Sequence, residues 1–154
     1  MFIINNHKIS KNLPPFIIAE LSGNHNQSLN NAIKMVRAAA KCGVNAIKIQ
    51  TYTPDTITIN SSRNEFKINS KDSIWKGSTL YSLYKKAYTP WEWHKRIYHE
   101  AKKNNIICFS SPFDETAVDF LEKLDVPAYK IASFENIHIP LIKKVASIGK
   151  PIIM

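Results

Sequence analysis

The chain has 154 residues, enough for one domain, and its 44% hydrophobic and 10% aromatic content is that of a protein with a packed core rather than a disordered one. No apolar run is long enough to span a bilayer, and Met1-Phe2-Ile3-Ile4-Asn5-Asn6 lacks the basic opening and cleavage site of a signal peptide. The formal net charge of +9 suggests an anionic partner without naming one, but the lysines are spread over every element without interleaved aromatics, which argues against nucleic acid.

In chain order, Phe2-Ile3-Ile4 and His7-Lys8-Ile9 flank Asn5-Asn6, a two-residue hairpin turn. Pro14-Pro15 is a stiff link into Phe16 to Leu21, an apolar run that reads as a buried strand and ends in Glu20 and the polar loop from Ser22 to Gln27. Ser28 is set to cap a helix carrying Leu29, Ala32, Ile33, Val36, Ala39 and Ala40 at helical spacing, closed by Gly43. Val44 to Thr51 is the second strand. Its alternation puts Ala46, Lys48 and Gln50 on one face and Ile47 and Ile49 on the other.

A long connection follows from Tyr52 to Ser78, in which Thr56-Ile57-Thr58-Ile59 alternates like a short strand. Leu80 to Tyr84 reads as a short helix. Thr89-Pro90-Trp91-Glu92 reads as a helix start with Thr89 as cap, and that helix runs to about Asn104-Asn105. Ile106 to Pro112 is the third strand, and Asp114 caps the next helix. Pro127 ends that segment, and the fourth strand begins at Ala128-Tyr129-Lys130-Ile131 before running into Ser133, Glu135 and Asn136. Pro140 opens a last helix, Gly149 ends it, and Pro151 to Met154 begins a fifth strand. Cys42 and Cys108 read as reduced core residues, and the expected compartment is the cytoplasm.

Strand and helix thus alternate four times before a final strand. No glycine-rich phosphate loop follows any strand, which weakens a nucleotide-binding reading. The polar residues instead come after each strand: Glu20, Gln50, Ser111, Ser133 and Glu135. That is the layout of a parallel barrel whose site gathers at the C-terminal strand ends, and a whole barrel takes roughly 250 residues. The expected fold is therefore α/β, the N-terminal half of a (β/α)8 TIM barrel, preceded by a short β-hairpin and truncated in the fifth strand.

Lys48 and Lys130 each lie inside a strand. One such lysine alone is most simply a solvated edge residue. Two, each in a strand that ends in polar groups, point into one anion site, because a buried ammonium is costly unless it is paired with an anion or kept neutral. Two ammonium clamps with strand-end hydroxyls suit a small phosphorylated carboxylate. Glu20 and Glu135 add carboxylates for sugar hydroxyls or proton transfer, the alternative for each being a salt bridge to a lysine.

Ala19-Glu20 with Ser22-Gly23-Asn24-His25-Asn26, then Ile47 to Thr51, Phe109 to Phe113, and Pro127 to Glu135, resemble in order and spacing the sialic acid synthase family. The resemblance runs from about Phe16 to Met154. It implies condensation of phosphoenolpyruvate with an N-acetylated six-carbon amino sugar to a nine-carbon nonulosonic acid, with release of phosphate. Ser-Gly-Asn-His-Asn-Gln in place of Gly-Val-Asn-His-Asn-Gly, the Tyr81 to Tyr84 segment and Thr89 to His94 are similar to the branch that makes pseudaminic acid, rather than to the sialic or legionaminic acid branches.

By motif position the resemblance assigns phosphoenolpyruvate to Lys48, Ser111, Lys130 and Ser133, and the sugar to Gln50, Glu20 and Glu135, with Glu20 and Glu135 catalytic. Ser111 replaces the family's common threonine and keeps its hydroxyl. Gly77-Ser78 stands where the family has Gly-Asn, which predicts a different acceptor contact. The resemblance further implies a divalent metal (Mn, Mg or Co) that polarises the sugar aldehyde. Its histidine ligands are expected beyond Met154, with none in this fragment. It also implies a C-terminal antifreeze-like domain and a homodimer. His94 and His99 read as solvated helix residues, and His25 as a loop-bonding one. A class I aldolase using Lys48 or Lys130 as a Schiff-base lysine is the competing enzyme reading. An inactive truncated fragment or interaction module is the non-enzymatic one.

Overall fold

The computed structural model describes residues 2–154. Strands β1 (Phe2–Ile4) and β2 (His7–Ile9) form an antiparallel hairpin in which Ile4 faces His7. Its turn residues Asn5 and Asn6 take φ of 43° and 68°, the left-handed values that a tight hairpin turn demands and asparagine tolerates.

The main sheet is parallel throughout, in the order β3 (Ile18–Glu20), β4 (Ala46–Thr51), β5 (Ile107–Pro112), β6 (Tyr129–Lys130) and β7 (Ile152–Ile153). Helices α1 (Leu29–Lys41), α4 (Trp91–Lys103), α5 (Glu115–Lys123) and α6 (Ile139–Ser147) make the successive crossovers. Each begins as its sequence dictates: Ser28 accepts from the Asn31 N–H, Asp114 from the Thr116 N–H, and Pro140 lies in the first turn of α6. This is half of a TIM barrel, as the strand–helix alternation predicts.

Alternation sorts the side chains between two layers. Ile47, Ile49 and Cys108 pack outward against Val36 of α1 and Ile97 and Ala101 of α4. Tyr129 and Ile131 pack outward against Val118 and Leu121 of α5 and Leu141 and Val145 of α6. Ala46, Phe109 and Ala128 point the other way, into the barrel, where Ile4 of the hairpin is buried among them. That apolar plug fills the N-terminal end of the interior and leaves the polar residues at the other end. Each fully buried aliphatic side chain contributes about 1.5–3 kcal/mol, so the two outward clusters are the main anchors of the sheet.

Four local expectations are corrected. Thr56-Ile57-Thr58-Ile59 is not a strand. Thr53 and Thr56 form a capping box around Pro54 and start helix α2 (Pro54–Ile57), overriding the alternation. Thr89 does not cap α4. Pro90 holds the capping position, and the Thr89 hydroxyl is engaged by His25. Cys42 is exposed at the C-terminal cap of α1, while Cys108 is buried and both are free thiols. His94 is fully buried rather than solvated, for reasons given below. Helix α3 (Leu80–Ala87) and the 3₁₀ turn Ser133–Ile137 complete the polar end of the sheet.

Candidate active site

Adjacent parallel strands in register bring the strand-end residues together. Glu20 of β3 lies beside Lys48 of β4, and Gln50 of β4 beside Ser111 of β5. Lys48 is 7% exposed, so its ammonium is nearly dehydrated and must be paired. Its Nζ lies 2.7 Å from Glu20 Oε2 and donates to Ser111 Oγ at 3.4 Å. Glu20 thus takes the salt-bridge alternative open to it. Its carboxylate stays 54% exposed, facing the mouth of the barrel.

Lys130 follows the outward-facing Tyr129 and so belongs to the interior face, with its Nζ donating to the Ile131 carbonyl. The chain then turns through Ser133–Ile137, which places Ser133 and Glu135 on the wall of a cavity of about 310 Å³. Gln50 reaches the same cavity from β4. Oε2 of Glu135 is buried and has no hydrogen-bond partner there. Burial pushes the Glu135 carboxyl above its usual range, against the opposing pull of its own N–H, His138 and Lys130. A carboxyl raised by desolvation on the wall of a cavity is placed to hold and pass a proton.

Further wall residues were not assigned by the sequence, among them the aromatic Tyr52, Tyr84 and Phe113. Tyr52 packs edge-on against both Tyr84 and Phe113, with ring centroids 5.6 and 5.3 Å away. Burial raises the Tyr52 and Tyr84 phenols, and the Glu135 charge adds to the second effect. The signal for Tyr52 and Phe113 was their place directly after a strand. Nothing in the sequence said which face of α3 meets the cavity.

Behind the sheet, Thr51 Oγ1 meets His94 Nε2 at 2.8 Å and Ser110 Oγ at 2.6 Å, all three side chains buried. His94 Nδ1 donates to the Pro90 carbonyl, which leaves Nε2 to accept from Thr51. This chain of bonds ties the end of β4 to β5 and to the start of α4. Burial lowers the His94 pKa to about 4. Folding therefore favours neutral His94, and the unfolded chain binds more protons between about pH 6.5 and 4. We expect stability that is full above pH 6.5 to fall by roughly 3 kcal/mol as pH drops through that window. His25, also lowered by burial, acts in the same direction. Denaturant titrations of wild type and His94→Gln across this range check it, and an equal pH slope in the variant would refute the assignment to His94.

The loop after β3 is fixed in the manner expected of His25. Its Nδ1 accepts from the Gln27 N–H and its Nε2 donates to Thr89 Oγ1, each at 3.2 Å, with Trp93 edge-on at 5.4 Å. Among the described residues no three His, Cys, Asp or Glu side chains gather into a metal-ligating group. Both ring nitrogens of His25 and of His94 are occupied within the protein. The residues present do not fit a metal centre.

A parallel half-barrel with this strand-end set has clear relatives, and residues 35–154 match the NeuB family. The chain belongs to the NeuB family. Two curated relatives are pseudaminic acid synthases. That of Campylobacter jejuni (serotype O:2) is 50% identical over 90% of this chain, and that of Helicobacter pylori is 47% identical over 92%. This NeuB chain spans about 40% of the length of these relatives. The crystal structure of an N-acetylneuraminic acid (sialic acid) synthetase from Leptospira borgpetersenii superposes with a TM-score of 0.81 at 30% identity. It covers 98% of this NeuB chain and 47% of its own.

Proposed function

We propose that the full-length protein is a pseudaminic acid synthase. It condenses phosphoenolpyruvate with an N-acetylated six-carbon amino sugar to give a nine-carbon nonulosonic acid and phosphate. One observation carries the reading: a dehydrated ammonium, Lys48, lies on the same strand as Gln50, which with Ser133 and Glu135 lines a cavity at the polar end of the sheet. The higher identity to pseudaminic acid synthases than to the sialic acid synthetase favours that branch.

In this reading Lys48 and Lys130 clamp the phosphate and carboxylate as point charges, and Ser111 and Ser133 supply direction. C3 of phosphoenolpyruvate bonds to the aldehyde carbon of the open-chain sugar. Glu135 gives its proton to the aldehyde oxygen as that bond forms, water adds at C2, and phosphate leaves. Gln50 and the aromatic walls orient the acceptor. A divalent metal, if the resemblance holds throughout, draws its ligands from outside residues 1–154. The Schiff-base alternative is disfavoured for Lys48, which has a carboxylate neighbour where a reactive amine needs an apolar or cationic one. The free thiols Cys42 and Cys108 support a reducing, cytoplasmic setting.

The test is phosphate release by the full-length protein with phosphoenolpyruvate and, in turn, the six-carbon precursors of pseudaminic, legionaminic and sialic acids. Mass spectrometry identifies the product. Turnover with the pseudaminic precursor is expected, and release with none of the three would refute the reading. Lys130→Ala should raise the KM for phosphoenolpyruvate at least about tenfold and leave that for sugar within about twofold. Equal changes in both would remove Lys130 from the anion site.

A further inference from the structure

Helix α3 supplies Tyr84 to the cavity, yet it has no fully buried residue of its own. Apolar packing alone does not fix its position. Polar contacts add to it: the Tyr81 hydroxyl donates to Asp55 Oδ1 at 3.0 Å, and others lie at its C-terminal end, where the last carbonyls of a helix lack partners within the helix. The side-chain amide of Gln27 donates to two of them, the Lys86 carbonyl at 2.9 Å and the Tyr88 carbonyl at 2.8 Å. The carbonyl between, of Ala87, lies against Gly23 so closely that a Cβ there would sit 2.6 Å from its oxygen. Three consecutive carbonyls, the last two of α3 and that of its C-cap Tyr88, thus meet two residues of the β3–α1 loop. The loop is shaped to present them, since Gln27 is left-handed at φ 50° and its N–H is held by His25 Nδ1. Tyr84 lies one turn earlier, its carbonyl accepting from the Tyr88 N–H at 2.9 Å. A shift of the last turn therefore moves Tyr84.

We propose that Gly23 and Gln27 are positioning residues that latch α3 and, through Tyr84, set the shape of the acceptor cavity. The proposal rests on the synthase reading. Both positions differ from the Gly-Val-Asn-His-Asn-Gly form of the loop. A valine at 23 would drive its Cβ into the Ala87 carbonyl, and a glycine at 27 has no amide to donate. The two departures therefore act on one object, the docked end of α3, and together they make acceptor choice depend on a loop outside the cavity.

The test uses the full-length protein and two readouts. Gln27→Met keeps the side-chain length and removes both donors; Gly23→Ala adds the clashing Cβ. For each, hydrogen–deuterium exchange over residues 80–88 should quicken while β4 and β5 are unchanged. The KM for the sugar should rise about tenfold, with that for phosphoenolpyruvate within about twofold. Combining Gln27→Met with Tyr84→Ala should give less than the product of the single effects on sugar KM, because the latch acts through Tyr84. Unchanged exchange over 80–88 overturns the latch. Faster exchange with an unchanged sugar KM, or a fully multiplicative double variant, overturns its link to the acceptor. A wild-type protein inactive with all three sugar precursors refutes the synthase reading instead, and exchange alone then decides the latch.

Discussion

Lys48→Met in the full-length protein is expected to lower kcat/KM for phosphoenolpyruvate by on the order of 10³. Two effects combine. The variant loses a charge-assisted contact to the anion, worth about 1.5–3 kcal/mol. It also leaves the Glu20 carboxylate, now 2.7 Å from the ammonium, as an unneutralised negative charge beside an anionic substrate. The fold should tolerate the change. Methionine fills nearly the same volume, and the stranded Glu20 is 54% exposed, so water can solvate it. Steady-state kinetics at saturating sugar, with a melting curve as control, measures both sides. A loss below tenfold would take Lys48 out of the anion site, and a collapsed melting transition would make it a structural residue.

Glu135→Gln is expected to reduce kcat by about 10²–10⁴, the usual contribution of a positioned general acid or base. The substitution keeps shape and one acceptor oxygen, so a residue that only binds a sugar hydroxyl would show a much smaller loss, carried mainly by KM. The pH profile separates the two roles further. The raised carboxyl of Glu135 should give a limb on the alkaline side of the ordinary glutamate range, and the variant should lack it. Retention of that limb in Glu135→Gln would assign the proton to another group.

Much of this architecture was readable from residue order. Alternation in Ala46-Ile47-Lys48-Ile49-Gln50 puts the lysine and glutamine on one face, because a strand has only two. Glu20 beside Lys48 follows from pairing neighbouring strands at their polar ends. His94 was also legible and was misread: with Ile97 and Ala101 it forms an i, i+3, i+7 series on the buried face of α4. Its ring looked like a surface residue because the partner that satisfies it, Thr51, is 43 positions away. The aromatic wall was not legible. Tyr84 reaches the cavity from α3, whose end meets Gln27 and Gly23 through backbone carbonyls, and backbone acceptors leave no mark in a sequence. Likewise Thr89 has the residue type of a helix cap, and only the approach of His25 decides that its hydroxyl is engaged elsewhere.

The plug formed by Ile4 has a consequence for the order of events during synthesis. The β1–β2 hairpin is made early and can close within microseconds, but the surface that buries Ile4 is assembled from Ala46, Phe109 and Ala128. The last of these is translated more than a hundred residues later, which at about 5–20 residues per second is a delay of many seconds. Throughout that interval Ile4 has only the early part of its cluster, Ile9, Phe16 and Ile18, to pack against. Seating Ile4 is thus a late step, a stopper pressed into a vessel whose wall must first curve round it.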